Sequence, residues 1–271
     1  MRKVSLVICD IDNTLVGHDK ILKPKTKQAI DQLKEKGIYF GIASDRPLDE
    51  VMLNAKKWGF DQNFDVVIGM NGADLWDGLH DEVHEYFRLE PSSIQEIYEK
   101  MMPFNANPYI YRDGKILCGH RSEVMEASAK RANKELVSLE DNIEDLWSEG
   151  NAKIMFRVKE GGMEPIEKFI QKNPSAIYNG FKTQPTVVEF ASKETSKAYA
   201  LRKFCEINNI SLDEVIAFGD TTNDNEMLKE AGLGVCLLNG SDDTKAIADE
   251  ITEKTCEEDG FADYVLKHIL S

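Results

Sequence analysis

The sequence predicts an α/β protein: a doubly wound, three-layer core around a mostly parallel sheet, with a smaller α+β domain inserted into it. Three observations carry that prediction. Short apolar runs alternate with helical periodicity over the N-terminal third, the middle turns to hairpin patterning, and the strand–helix rhythm returns near Ser196. Strand–helix–strand spacing of this kind marks right-handed βαβ units and a parallel sheet.

Val4–Cys9 reads as a buried strand. Pro24 suits the first turn of a helix, Ala29, Ile30 and Leu33 give it an apolar stripe, and Gly37 stops it. Ile38–Ala43 is the next strand, a helical stretch follows Pro47 through Val51, Leu53 and Trp58, and Val66–Met70 is a third strand. In the middle, Tyr109–Tyr111 and Ile116–Cys118 flank Asp113-Gly114, a dipeptide that favours a tight hairpin turn. Helices near Glu123–Glu135 and Met163–Gln171 and strands near Ile154–Val158, Ala176–Tyr178 and Thr186–Phe190 complete an α+β pattern. After Ser196 come a helix through Ala200, Leu201 and Phe204, a strand Val215–Phe218, a helix Asn223–Glu230 and a strand Leu233–Leu238. A last helix over Phe261–Ile269 has Phe261, Val265, Leu266 and Ile269 as its apolar face. The core is therefore expected over 1–83 and 187–271, with the inserted domain at 84–186. An insertion at one end of the sheet covers the crevice where open α/β sheets bind ligands, which makes it a candidate lid.

Composition narrows the function. The chain has 271 residues, enough to bury a core without disulfides or a structural metal. With 42% hydrophobic and 30% charged residues, 18 Gly and 8 Pro, it is neither disordered nor collagen-like. A formal charge of −15 argues against wrapping nucleic acid, which needs a basic footprint. It leaves room for an anionic small molecule where a metal and a few cations act locally. Nothing resembles a secretory leader or a membrane span, and five scattered cysteines without a CxxC pattern fit reduced thiols. A cytoplasmic protein, monomer or homodimer, without nucleic-acid or membrane partners, is expected.

Two carboxylate clusters carry the chemistry. Asp10 and Asp12 follow the first apolar strand, and an ideal continuation of it would point both side chains the same way. Two carboxylates that close repel, so a shared proton or a divalent cation must offset them. Asp220, Asn223 and Asp224 follow another apolar strand. Acidic groups converging where two strands end form a hard, oxygen-rich site suited to Mg²⁺. The plainer alternative is that they cap the helices that follow. Both clusters lying behind strands of one sheet favours function.

Asp10-Ile11-Asp12-Asn13-Thr14-Leu15, together with Gly219-Asp220-Thr221-Thr222-Asn223-Asp224, resembles the haloacid dehalogenase-like (HAD) hydrolase superfamily. The likeness is greatest to its Cof-type small-molecule phosphatases, which carry an inserted α/β cap, and it extends over nearly the whole chain. Ser44 looks like the second family motif and Lys197 like the third; Asn71-Gly72-Ala73 and Asp259-Gly260-Phe261 also match family features. The resemblance implies that Asp10 is the nucleophile, forming an aspartyl phosphate. It makes Asp12 the general acid and base, and Lys197 the cation facing the reacting group. Ser44, Lys197 and Asn223 would bind phosphate. Asp10, Asp220 and Asp224 would hold Mg²⁺, with Asp12 contributing its backbone carbonyl.

Two positions depart from the pattern. Asp45 and Ala198 stand where the family usually has Gly, and Asp45 would crowd a phosphate unless Arg46 pairs with it. The implied activity is Mg²⁺-dependent hydrolysis of small phosphomonoesters, with sugar phosphates the favoured class and the cap choosing the leaving group. A phosphosugar mutase of the same superfamily and a non-catalytic metabolite-binding protein are the alternatives.

Overall fold

Alternate residues of the buried strands face opposite sides, and this sets the layering of the larger of two units. The structure, a computed structural model, describes residues 3–60 and 64–271. The chain divides into one unit ending at Tyr86 and resuming at Ser196, and a second covering Phe87–Thr195.

The first unit opens with β1 (Leu6–Cys9), α1 (Pro24–Glu35), β2 (Tyr39–Ala43), α2 (Leu48–Lys57), β3 (Val66–Gly69), β4 (Asp74–Asp77) and β5 (Glu82–Glu85). The second unit holds α3 (Pro91–Met101), β6 (Asn107–Arg112), β7 (Lys115–Cys118), α4 (Glu123–Ala132), β8 (Glu135–Ser138), β9 (Lys153–Arg157), α5 (Met163–Lys172), β10 (Tyr178–Gln184) and β11 (Val187–Ser192). The chain then returns through α6 (Lys197–Asn208), β12 (Val215–Gly219), α7 (Asn225–Glu230), β13 (Leu233–Cys236), α8 (Asp242–Ile247), β14 (Glu250–Ile251) and α9 (Gly260–Tyr264).

The larger sheet runs β14-β13-β12-β1-β2-β3-β4-β5, parallel except for the β3–β4 and β4–β5 pairs. Val7, Cys9, Phe40, Ile42 and Phe218 pack on one face against α1, α2 and α9. Leu6, Ile8, Val66, Ile68 and Ala217 pack on the other against α6 and α7. A strand buried on both faces reads as a continuous apolar run, which is why Val215–Phe218 was recognisable as one. The doubly wound, mostly parallel core is thus the observed one. β1 and β12 lie side by side in register, Cys9 opposite Phe218, so the two acidic segments leave the same edge of the sheet together.

In the second unit the sheet order is β10-β11-β9-β6-β7-β8, antiparallel except for β7–β8. Asp113 and Gly114 take φ of 49° and 71° and close the β6–β7 hairpin. Ile110, Ile154, Phe156, Val188 and Phe190 meet α3 and α5 on one face, while α4 covers Ile116 and Cys118 on the other. β11 pairs with β9 and β10, so the unit runs to Thr195 rather than stopping at 186. Its N-terminal limit is Phe87 rather than 84, because β5 belongs to the larger sheet.

Candidate active site

The strand ends bring four of the expected residues into one cluster. Asp10 follows β1 with its amide bonded to the Phe218 carbonyl at 3.0 Å. Lys197 is the first residue of α6, whose start is capped by Ser196 Oγ accepting from the Tyr199 amide. Gly72 allows that start to come close: at φ +103° it lies where a Cβ would be 2.0 Å from the Ser196 carbonyl oxygen. Lys197 Nζ then reaches Asp10 Oδ1 at 2.6 Å and Asp224 Oδ1 at 2.7 Å, with its side chain fully buried.

The segment after β12 is tightly braced. Asp224 Oδ2 accepts from the amides of Asp220 (3.0 Å) and Thr221 (3.3 Å), completing a capping box with Thr221. Thr14 Oγ1 donates to Asp220 Oδ1 at 2.8 Å. Asp243 accepts from Thr222 and Asn225 and so fastens the turn from outside. Asp224 thus commits both oxygens to protein donors, whereas the hydrogen bonds to Asp10 and Asp220 each occupy one. A fixed Asp224 suits positioning Lys197 and Asp220, leaving Asp10 and Asp220 an oxygen apiece for another partner.

Oxygens of Asp10, Asp220 and Asp224 all lie within 4.8 Å of one another, and all three residues are buried. Burial and the neighbouring Asp224 and Asp220 charges push the Asp10 carboxyl well above its usual range, against the pull of Lys197. Burial likewise raises Asp220 to about 6, although the Thr14 hydrogen bond opposes it. Three carboxylates share one ammonium, so the cluster is short of positive charge. An all-oxygen donor set with two negative charges in excess fits a hard divalent cation such as Mg²⁺.

Asp12 departs from the expected geometry. Instead of continuing β1, the chain turns through Asn13 at φ 64°, and the Asp12 carboxylate lies outside the aspartate cluster. Arg46 grips it, Nε to Oδ2 at 3.1 Å and Nη2 to Oδ1 and Oδ2 at 2.8 and 2.6 Å. Lys20 Nζ adds an ion pair at 2.7 Å. Burial alone would raise the Asp12 carboxyl, but the Arg46 charge and the hydrogen bonds from Lys20 and Arg46 outweigh it and hold it below the usual range. As a metal ligand, therefore, Asp12 has only its backbone to offer.

Ser44 closes β2, buried, its carbonyl accepting from the Asn71 amide at 3.0 Å. Its hydroxyl lies 3.4 Å from Asp45 Oδ1. Arg46 spends its guanidinium hydrogen bonds on Asp12, with the Asp45 and Glu50 charges acting on it as well. Asn223, expected to bind phosphate, is exposed and donates to Asn71 Oδ1 at 3.0 Å. Thr14 and Lys20 are residues at the site that sequence reasoning missed, and the Arg46 hydrogen bonds to Asp12 were not foreseen. Thr14 lay inside the motif already singled out, whereas nothing in the sequence near Lys20 points to Asp12. Among the described residues no helix is long and apolar enough to cross a membrane.

Known proteins place this arrangement. Residues 7–265 match the haloacid dehalogenase-like hydrolase family. The solved structure of TM0651 from Thermotoga maritima superposes with a TM-score of 0.86 at 25% identity, covering 97% of each chain. A haloacid dehalogenase-like hydrolase from Bacteroides thetaiotaomicron gives 0.86 at 24% identity, over 98% of this chain and 99% of that one. Among curated relatives, the 5-amino-6-(5-phospho-D-ribitylamino)uracil phosphatase YcsE of Bacillus subtilis is 28% identical, over 98% of this chain and 96% of its own. Phosphatase YwpJ of the same organism is 26% identical, over 98% of this chain and 100% of its own. The chain belongs to the haloacid dehalogenase-like hydrolases.

Proposed function

We propose that this protein hydrolyses phosphomonoesters of small metabolites, sugar phosphates foremost, in a Mg²⁺-dependent reaction through a phosphorylated Asp10. The observation that carries the reading is the buried Lys197–Asp10 contact beside Asp220 and Asp224. Lys197 holds one Asp10 oxygen, which fixes the rotamer and aims the other at an incoming phosphorus. Attack by that oxygen forms the aspartyl phosphate and breaks the bond to the leaving alcohol; water then attacks the phosphorus and restores the carboxylate. Asp10 and Asp220 would hold the divalent cation, with Asp224 fixing Asp220 and Lys197 around it; when bound, the cation supplies charge neutralisation for the phosphoryl oxygens. Lys197 adds a positive charge on the same side, and the buried Ser44 hydroxyl is a phosphate donor at the end of β2.

Asp12 serves the leaving oxygen and then the water. In the arrangement held by Arg46 and Lys20 it is ionised, the form that takes a proton from the attacking water. Donation to the leaving group requires it to be protonated first, which is easier once an anionic substrate draws the two cations away. We assign Asn223 to positioning the segment around Asp224. We assign leaving-group selection to the second unit, the inserted α+β cap.

The sugar-phosphate preference draws support from YcsE, whose named substrate carries its phosphate on a ribityl chain. The decisive assay is phosphate release from a panel of phosphorylated metabolites with Mg²⁺ and with EDTA, beside Asp10→Asn. Mg²⁺-dependent release that vanishes in the variant is expected. No release from any ester by the folded, Mg²⁺-supplied protein would overturn the reading.

A further inference from the structure

The turn after β13 is bonded to both acidic segments. Leu237 donates its amide to the Gly219 carbonyl at 3.1 Å, and Ser241 donates to the Asp220 carbonyl at 2.8 Å. Gly240 lets the turn close over Asp220: a Cβ there would lie 2.4 Å from Cys236 Sγ and 3.0 Å from the Asp220 carbonyl oxygen. Asn239 reaches the other segment, its Nδ2 donating to the Asn13 carbonyl at 2.7 Å. Its Oδ1 accepts from the Cys256 amide at 2.8 Å. A backbone amide only donates and a carbonyl only accepts, so the two partners fix which way round the carboxamide sits. They also call for a side chain that does both.

Asn13 is the residue whose turn takes the Asp12 carboxylate out of the aspartate cluster. Bonds inside the turn give it its shape: Asn13 donates to the Val16 carbonyl at 2.9 Å, and Leu15 and Val16 each donate to the Ile11 carbonyl at 3.0 Å. Its orientation on the sheet edge depends instead on bonds that leave it. Thr14 supplies one to Asp220 at 2.8 Å, and Asn239 supplies one at the peptide carbonyl next after Asp12. Arg46 and Lys20 hold the Asp12 carboxylate itself, where an anionic substrate competes for them. The bond from Asn239 is made to the backbone and is outside that competition. The segment that fastens Asn239 also fastens the loop beyond the turn, since Glu257 Oε1 accepts from the His18 amide at 2.7 Å.

We propose that Asn239 is a positioning residue for Asp12, holding the backbone of the acid–base turn so that the Asp12 carboxyl meets the leaving oxygen. This deepens the hydrolase reading and rests on it. A general acid acts only within hydrogen-bond reach of the atom it protonates, so a loosened turn lowers the share of bound substrate that it serves. The loss falls on poor leaving groups, which need the proton. Good ones depart as stable anions and are spared.

The test is the dependence of kcat/KM on the leaving group across phenyl, 4-nitrophenyl and 2,4-dinitrophenyl phosphate with Mg²⁺. These esters are alike in shape and carry leaving groups of rising acidity. Their kcat/KM covers the steps up to departure of the phenol, which separates acid catalysis from the later attack of water. Asn239→Asp keeps the acceptor for Cys256 and removes the donor to Asn13; Asn239→Ala removes both and adds no charge. Each variant should lose about threefold to tenfold on phenyl phosphate, the worth of one neutral hydrogen bond, and less than about twofold on 2,4-dinitrophenyl phosphate. An equal fall on all three esters overturns the inference, because a merely structural residue would give that. An effect in Asn239→Ala alone also overturns it, since the Cys256 bond would then be what matters. So does an effect in Asn239→Asp alone, which would trace to the added charge. Release by wild type with an unchanged series in both variants sinks the inference and leaves the hydrolase standing. No Mg²⁺-dependent release from any ester, sugar phosphates included, sinks both.

Discussion

Replacing Lys197 by Met removes the cation at the centre of the acidic cluster while nearly keeping its volume. Its Nζ is 2.6 Å from Asp10 and 2.7 Å from Asp224, and the side chain is fully buried. Removing one partner of a buried ion pair costs roughly 3–5 kcal/mol. Here one ammonium serves two carboxylates with Asp220 beside them, so the loss should reach about 5 kcal/mol at pH 8 in EDTA. The carboxylates can escape by taking up protons. Asp220 already titrates near about 6 and Asp10 is raised too, and losing Lys197 raises both further. At pH 5 Asp10 and Asp220 of the variant can take up protons, and the cost should fall to roughly half. Urea denaturation of wild type and variant in EDTA at both pH values measures this directly. A loss below about 1 kcal/mol at pH 8, or one independent of pH, would refute the reasoning, because surface substitutions cost that little. Turnover with Mg²⁺ should fall by about 10²–10³ or more, the usual consequence of removing a charge-stabilising donor.

Wild-type protein without a divalent cation should lose stability as pH rises from about 4 to about 7. The folded state holds protons on Asp10 and Asp220 that the unfolded chain has already released, so the effect is present at low pH and lost above the raised values. Asp220, moved from 3.8 to about 6, accounts for roughly 3 kcal/mol of it; Mg²⁺ should therefore raise Tm more at pH 8 than at pH 5. Gly72→Ala should cost about 3 kcal/mol, from a positive φ and a clash with the Ser196 carbonyl, and should lower activity by displacing Lys197. In the second unit, Lys153 and Glu189 form a buried pair at 2.8 Å. Lys153→Met should cost roughly 3–5 kcal/mol in chemical denaturation of the full chain, and adding Glu189→Leu should recover most of that.

The parts of this molecule that were legible in the sequence are those written into short stretches of chain. β1 and β12 are apolar runs ending in aspartates, and burial on both faces makes such runs visible. The β6–β7 hairpin announced itself through Asp113-Gly114. Lys197 stood out only because a family pattern pointed to it; by itself it is a lysine at a helix start. The direction of Asp12 was not legible, since it depends on a turn at Asn13 and on cations 8 and 34 positions away along the chain. The Asn223 contact was not legible for the same reason: its partner, Asn71, lies on a different strand end. The limits of the inserted unit were displaced because β5 and β11 are short segments whose pairing decides their membership, and pairing is not a local property. α3, with Ile94, Ile97 and Met101 buried, went unread between the two patterns although Pro91 opens it.

The account turns on Asp10 becoming covalently phosphorylated. Acid quenching during turnover of a good substrate with Mg²⁺, followed by peptide mass spectrometry, should find a phosphoryl adduct on the peptide containing Asp10, placed on Asp10 by fragmentation. It should be absent from Asp10→Asn and from samples quenched after EDTA. Full turnover by Asp10→Asn, or an adduct on a different residue, would contradict the account.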